Sequence, residues 1–169
     1  PPRSTLFPYT TLFRSMFMDS DSLTTLDLSY FDTSKVTGMM YMFSGCKALK
    51  NVDLSSFDTT NVTTMTAMFR YCENMTDVTF GNSFKTNKVT DMSYMFSCCS
   101  KLTKIDLSKF DTSSATNMEQ MFAHCNSIKE LQLQQFNTNK VTTMSSMFND
   151  CSSLDRKSTR LNSSHVRTS

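Results

Sequence analysis

Cysteine is the most chemically reactive residue type in this sequence, and it recurs at a fixed spacing. Five cysteines lie 26 or 27 residues apart and are Cys46, Cys72, Cys99, Cys125 and Cys151. Such spacing predicts a stack of buried thiols, because a buried cysteine packs as a small apolar side chain. Disulfide bonds between neighbouring repeats are the alternative, which an extracellular location favours. The sequence contains no CxxC or HxxxH pair, so we expect no zinc site.

The sequence does not indicate a nucleophile and base that converge on one site. His124 is the only histidine between residues 16 and 154, and its one reactive neighbour along the chain is Cys125, whose spacing predicts burial. Cys98 lies outside the periodic set, at a variable position of the repeat. Catalysis of this type needs residues that approach each other from separate segments. We therefore expect no enzyme activity and no cofactor.

Composition excludes further classes of protein. The 169 residues carry 17 lysines and arginines against 15 aspartates and glutamates, a net charge of +2 that is too small to indicate nucleic-acid binding. No stretch reaches the roughly 18 consecutive apolar residues of a transmembrane helix, so we expect no membrane insertion of this segment. The length suits one core of ordinary size.

The two ends of the chain differ from its middle. All three prolines fall within the first fifteen residues, whereas every methionine and cysteine lies between Met16 and Cys151. Residues 1–15 resemble a translated sequencing adapter, and residues 155–169 resemble the adapter of the opposite end. We set both segments aside for fold reasoning and expect them to be unpacked. Natural disordered tails are the alternative.

Residues 16–154 form a repeat array, with five full copies of a unit and a partial copy at each end. The unit is 26 residues long, and the third copy carries one extra residue near Gly81. The full copies begin at Leu23, Leu49, Met75, Leu102 and Ile128. A repeat of this length indicates a solenoid, in which each unit buries its apolar face against the next.

Each half of the unit has its own apolar period. Alternation in the first half places Leu26 and Leu28 on one face of a short strand, with Asp27 on the other. In the second half, apolar residues from Met39 to Cys46 recur at i, i+3, i+4 and i+7, which predicts a two-turn helix whose methionines face the core. Thr37 is the expected N-cap of that helix. The predicted fold is therefore an α/β solenoid with short parallel strands on one face and two-turn helices on the other.

The repeat pattern carries a family resemblance. The spacing LxxLxL within a repeat of this length resembles the leucine-rich repeat, and the fuller pattern LDLSxFDTSxVTxMxxMFxxC is similar to the BspA-like, 26-residue repeat of bacterial surface proteins. The resemblance covers residues 16–154. It implies a protein that lies at the cell surface or outside the cell and takes part in adhesion to host or matrix molecules.

The strand face is the candidate ligand-binding surface. Its outward positions form a polar, mildly acidic sheet surface, and we select ten of them: Thr25, Asp27, Asn51, Asp53, Asp77, Thr79, Lys104, Asp106, Glu130 and Gln132. Asp27 and Asp53 are expected on adjacent strands about 5 Å apart, where like charges repel. The sequence lacks an acidic, glycine-containing calcium loop, so we expect no metal at this surface.

The expected function is binding without catalysis. An extracellular protein or glycan is the expected partner, held by modest contacts across several repeats. A purely structural stalk that presents another domain is the alternative, and a uniform strand face would favour it. We also expect self-association through uncapped ends, because end repeats without caps expose apolar surface.

Overall fold

The structure is a computed structural model that describes residues 13–155, and it is a solenoid in which each repeat makes one coil. Strand β1 spans Asn51–Leu54 and strand β2 spans Asp77–Phe80. The two strands pair in parallel, with Val52 opposite Val78. A second line of parallel contacts joins the coils through single bridges, which run Gly38, Thr64, Asp91, Asn117 and Thr143.

The prediction of two-turn helices is wrong, and with it the α/β assignment. The described residues contain no α-helix and only the two short strands. Within the segment predicted as helical, the φ angles are +57° at Tyr41 and +78° at Gly45. A right-handed helix requires negative φ at every residue, so these two positions interrupt it. Equivalent positions of later coils repeat the pattern at Ala67, Tyr71, Tyr94, Cys98, Gln120, His124, Ser146 and Asp150.

Hydrogen bonds between coils are the physical reason for the missing helices. In the first coil, Met39 N–H donates to Thr64 O at 3.0 Å and Tyr41 N–H donates to Thr66 O at 2.9 Å. Between them, Met42 N–H closes a turn onto Met39 O at 3.4 Å. Backbone donors thus alternate between the next coil and a local turn. We call this part of the coil the turn ladder; it comprises residues 38–46, 64–72, 91–99, 117–125 and 143–151.

The apolar positions of the predicted helix are buried although the helix is absent. Met39, Met42, Phe43 and Cys46 are fully buried. Phenylalanines of successive coils stack with ring centroids 5.3–6.1 Å apart and nearly parallel planes, at Phe17, Phe43, Phe69, Phe96, Phe122 and Phe148. The spacing therefore predicted which residues face the core. Consecutive turns of three to four residues direct a side chain to the core at nearly the same intervals as a helix does.

Two threonine columns connect the coils, and neither caps a helix. Thr63 donates its hydroxyl to Thr37 O at 3.1 Å, so the expected N-cap role of Thr37 is wrong. The Thr33 hydroxyl is buried, donates to Asp58 O at 3.0 Å and accepts from Asp58 N–H at 2.8 Å. Thr59 and Lys85 repeat this double contact. The threonine hydroxyl thus makes the two hydrogen bonds to the next coil that a backbone N–H and C=O would otherwise make.

Residues at the start of the described chain are packed. The Phe13 side chain is buried and makes edge-on ring contacts with Phe31 and Phe57, at centroid distances of 5.7 and 6.3 Å. Ser15 N–H donates to Met40 O at 2.9 Å, as in the turn ladder. The expectation that all of residues 1–15 are unpacked is therefore wrong for residues 13–15. Residues 1–12 and 156–169 lie outside the described residues, and the adapter origin of both ends stays a prediction.

Residues 13–155 contain no helix of the length and hydropathy needed to span a membrane.

Candidate binding site on the strand face

All ten residues selected from the sequence are exposed, as the alternation predicts, and their ligand binding stays a prediction. They are Thr25, Asp27, Asn51, Asp53, Asp77, Thr79, Lys104, Asp106, Glu130 and Gln132. Within residues 13–155, strands form in only two coils, so the strands predicted in the other three full coils are absent and four of the ten residues lie on a strand: Asn51, Asp53, Asp77 and Thr79. Strand pairing places Asn51 beside Asp77 and Asp53 beside Thr79. The alternating apolar residues, such as Val52 on β1, face the core and hold these side chains in register.

A groove of about 450 Å³ opens on this face between the first two full coils. Three of the selected residues, Thr25, Asp27 and Asp53, line it. Its remaining lining residues are Leu26, Leu28, Ser29, Ser55 and Ser56. Alternation in the sequence also points Ser29 and Ser55 outward, but it gives no signal for Ser56, whose hydroxyl donates to Leu28 O of the preceding coil at 3.3 Å.

Hydrogen bonds from nearby serines fix the acidic side chains of the groove. Asp27 Oδ1 accepts from the Ser29 hydroxyl at 2.7 Å and from the Ser29 N–H at 3.0 Å. Asp53 Oδ1 accepts from the Ser55 N–H at 2.8 Å. These bonds favour the ionised form, so the serine contacts lower the pKa of Asp27 and that of Asp53. Each carboxylate is charged and oriented, with Oδ1 committed to its own turn.

The chemistry of the strand face changes along the solenoid. The third full coil presents Thr79, and the fourth combines Lys104 with Asp106, whose carboxylate accepts from Ser108 N–H at 2.9 Å. In the fifth coil, Gln134 Nε2 donates to Gln132 Oε1 at 3.0 Å. The surface is thus acidic and rich in hydroxyl groups at one end and carries amide groups at the other. A ligand that spans several coils would meet different groups at each.

No metal centre is formed by the part of the chain that the structure describes. Among residues 13–155, no three His, Cys, Asp or Glu side chains converge on a point where they could hold an ion.

Four of the five periodic cysteines are buried, as their spacing predicts, and Cys151 in the last coil is half-buried. Each Sγ donates to the carbonyl oxygen of a phenylalanine in the preceding coil, for example Cys72 to Phe43 O at 3.1 Å. Burial raises the pKa of the Cys46 thiol to about 11 and raises the pKa of Cys72 further. All six cysteines of the chain are free thiols, so the structure contains none of the disulfide bonds considered as the alternative.

Comparison with known protein families gives a match over most of the chain. The family described as "Mycoplasma protein of unknown function, DUF285" matches residues 9–79 and 76–169. No curated protein matches.

Comparison with solved structures finds a leucine-rich repeat protein. The crystal structure of the T. pallidum leucine-rich repeat protein TpLRR is similar, with a TM-score of 0.50 and 22% sequence identity over 75% of this chain. The match covers 53% of the TpLRR chain, so the present chain spans about half the length of that protein. At this identity the likeness concerns the fold alone. It supports a leucine-rich-repeat type of stacking for this chain.

Proposed function

This chain belongs to the family described as Mycoplasma protein of unknown function, DUF285, and from that membership and its leucine-rich-repeat-like fold we propose a function in binding. In this proposal it is a BspA-like, non-catalytic repeat segment of a bacterial cell-surface or secreted protein. Its strand face holds an extracellular protein or glycan, and the interaction serves adhesion. Neither nucleic acid nor a membrane is a partner of this segment.

The observation that carries the proposal is the groove between the first two full coils. It brings Thr25, Asp27 and Asp53 of two consecutive repeats to one groove with a volume of about 450 Å³. Hydroxyl groups and oriented carboxylates are the donors and acceptors that fix a polar ligand in such a groove. The change of side chains along the face supports binding further, because a surface that serves only as a stalk needs no such variation.

One observation favours the structural stalk as the second candidate. The carboxylates of Asp27, Asp53 and Asp106 each accept hydrogen bonds from a serine two residues later. Aspartates in these positions stabilise the turn that follows them, so their recurrence has a purely conformational explanation.

Binding to defined probes separates the two candidates. The purified chain is tested by surface plasmon resonance against fibronectin, laminin and collagen, and on a printed glycan array. A strand-face variant combines Thr25→Arg with Thr79→Arg, two exposed positions where bulky cations obstruct the surface without filling the core. The matched control combines Asn87→Arg with Asn139→Arg, which adds the same charge at exposed turn positions.

If the strand face binds a ligand, the parent chain and the control variant should bind at least one probe. The strand-face variant should not bind that probe. Absence of binding to every probe, or equal binding by both variants, overturns it in favour of the stalk. Thermal unfolding serves as the folding control. Both variants should unfold near the temperature of the parent chain, because exposed substitutions usually change stability by no more than about 0.5 kcal/mol.

We also propose self-association through the end coils. In the last described coil Val141, Met144 and Phe148 are half-buried, whereas their counterparts in central coils are fully buried. Sedimentation velocity at two concentrations tests this: a sedimentation coefficient that rises with concentration is expected, and a constant monomer value contradicts it.

A further inference from the structure

The turn ladder aligns three reactive side chains that lie far apart in the sequence. Cys98, His124 and Asp150 occupy the same position of three consecutive coils, and all have positive φ angles, of 64°, 61° and 54°. Cys98 N–H donates to Ala123 O at 2.8 Å and His124 N–H donates to Asn149 O at 2.7 Å. Backbone pairing of this kind sets neighbouring coils about 4.8 Å apart. His124 therefore lies in the coil between that of Cys98 and that of Asp150, about one coil spacing from each.

His124 is oriented by Asp150. Its Nδ1 lies 3.2 Å from Asp150 Oδ2, with both side chains partly exposed. The same Oδ2 accepts from Asn149 Nδ2 at 3.1 Å, which holds the carboxylate in place. A neutral imidazole that donates from Nδ1 has Nε2 as its proton acceptor.

Cys98 differs from the five thiols of the core column. Those thiols donate to backbone carbonyls, and burial raises their pKa values, for example that of Cys46 to about 11. Cys98 is half-buried, and its Sγ lies 3.7 Å from the Ser97 hydroxyl rather than on a carbonyl oxygen. Of the six thiols, this one combines partial exposure with an imidazole in the adjacent coil. Thiol reactivity depends on access and on formation of the thiolate.

From this juxtaposition we infer that Cys98 is a site of covalent modification by small-molecule disulfides, with His124 as the proton acceptor and Asp150 as its positioning residue. His124 Nε2 takes the thiol proton, and the Cys98 thiolate attacks one sulfur of the disulfide. A new S–S bond forms at Cys98 while the S–S bond of the reagent breaks. The leaving thiolate receives the proton from His124 and departs as a thiol, so the exchange needs no further oxidant. The modification is stoichiometric and independent of ligand binding on the strand face.

The test uses the uncharged reagent 4,4′-dithiodipyridine on the folded chain, with release of thiopyridone followed by absorbance and the modified residue identified by mass spectrometry. One thiol per chain reacts rapidly, and Cys98→Ser removes that phase. His124→Asn slows the phase about tenfold or more, because the amide keeps a donor toward Asp150 and tolerates positive φ but cannot accept the proton. An unchanged rate in His124→Asn, with folding verified by thermal unfolding, overturns the inference.

Two measurements keep the inference testable if that variant does not fold. In the unsubstituted chain, Cys98 must react faster in the folded protein than after unfolding in urea; a slower folded-state rate overturns the proposal.

The role of Asp150 is read from ¹⁵N chemical shifts of His124, which report the Nδ1–H tautomer in the parent chain and move toward the Nε2–H tautomer in Asp150→Gly. Glycine suits the positive φ at this position. Identical shifts in the two proteins contradict the positioning role.

Discussion

Threonine side chains join neighbouring coils in two ways, and the two differ in burial. The Thr59 hydroxyl is buried, donates to Lys85 O at 2.7 Å and accepts from Lys85 N–H. The Thr63 hydroxyl is exposed and donates to Thr37 O, which also accepts from the Thr63 N–H. Loss of the first leaves two backbone groups of Lys85 without their partner inside the protein, whereas loss of the second leaves Thr37 O satisfied.

We predict unequal costs for removing these two hydroxyls. Thr59→Val should lower the free energy of unfolding by about 1–3 kcal/mol, the usual cost of an unsatisfied buried polar group. Thr63→Val is the matched control, with an expected loss below about 0.5 kcal/mol. Urea unfolding of the two variants measures the difference, and equal midpoints would contradict the assignment of the buried column.

A second residue-scale prediction contrasts the core with the strand face. Phe69 is fully buried between the stacked rings of Phe43 and Phe96. Phe69→Ala should cost about 3–5 kcal/mol, because it removes the ring and leaves a cavity. Asp53→Ala, at an exposed position, should cost less than about 1 kcal/mol. Thermal unfolding checks both, and similar shifts in the two variants would refute the inside–outside assignment.

The turn ladder is the element that departs most from the sequence-based expectation. Apolar residues three and four apart predict a helix, and a chain of tight turns satisfies the same spacing. The choice is decided by backbone bonds such as Met39 N–H to Thr64 O, whose partners lie 25 residues apart. Local sequence carries a weak signal for those bonds, because Tyr41 and Ala67 adopt positive φ without being glycine. The 26-residue period and the buried positions of the turn ladder were therefore predictable from the sequence. The choice between a helix and a chain of turns was not.

At the element scale, glycine should be tolerated at one ladder position and harmful at a neighbouring one. Ala67 has a φ of +52°, and relief of its steric strain offsets the entropic cost of glycine. Ala123 is buried in the ladder without positive φ, so Ala123→Gly should lose about 1 kcal/mol. We expect Ala67→Gly to be more stable than Ala123→Gly by about 1 kcal/mol in urea unfolding. The reverse order would argue against the alternating turns.

The register between coils determines which residues lie side by side on the surface as well as in the core. The exposure of the ten strand-face residues was predictable, because polar and apolar residues alternate in the first half of each repeat whether or not a strand forms there. The groove was not, since Ser56 helps to line it and the alternation gives no signal for that residue. The alignment of Cys98, His124 and Asp150 follows from equal positions in successive repeats. The sequence places Cys98 at a variable position of the repeat, but it carries no signal for the contact between His124 and Asp150.

At the scale of the whole molecule, repeated aspartate turns should make the solenoid sensitive to acid. Hydrogen bonds from serine side chains and N–H groups lower the pKa values of Asp27, Asp53, Asp106 and Asp111 in the folded state. A folded-state pKa below the unfolded value contributes stability that is present at neutral pH and is lost as pH falls through the folded-state pKa.

We therefore predict a nearly constant thermal midpoint from about pH 7 to 5 and a fall between about pH 4 and 2. The triple variant Asp53→Asn, Asp106→Asn, Asp111→Asn should show a flatter acid limb, because an amide oxygen accepts the serine bonds without titrating. Calorimetry at several pH values makes the comparison. The same acid dependence in both proteins would show that other groups control it.

The direction of the ladder bonds gives the solenoid an electrical polarity. In the second full coil, four peptide units accept from the preceding coil and donate to the following one; their carbonyls belong to Thr64, Thr66, Met68 and Arg70. Bonds such as Thr63 N–H to Thr37 O point the other way and offset part of this alignment. Aligned peptide dipoles add, so the ladder carries partial positive charge toward its C-terminal end. An α-helix has the opposite sense, and an acidic side chain in the last coil, as at Asp150, is stabilised by this field.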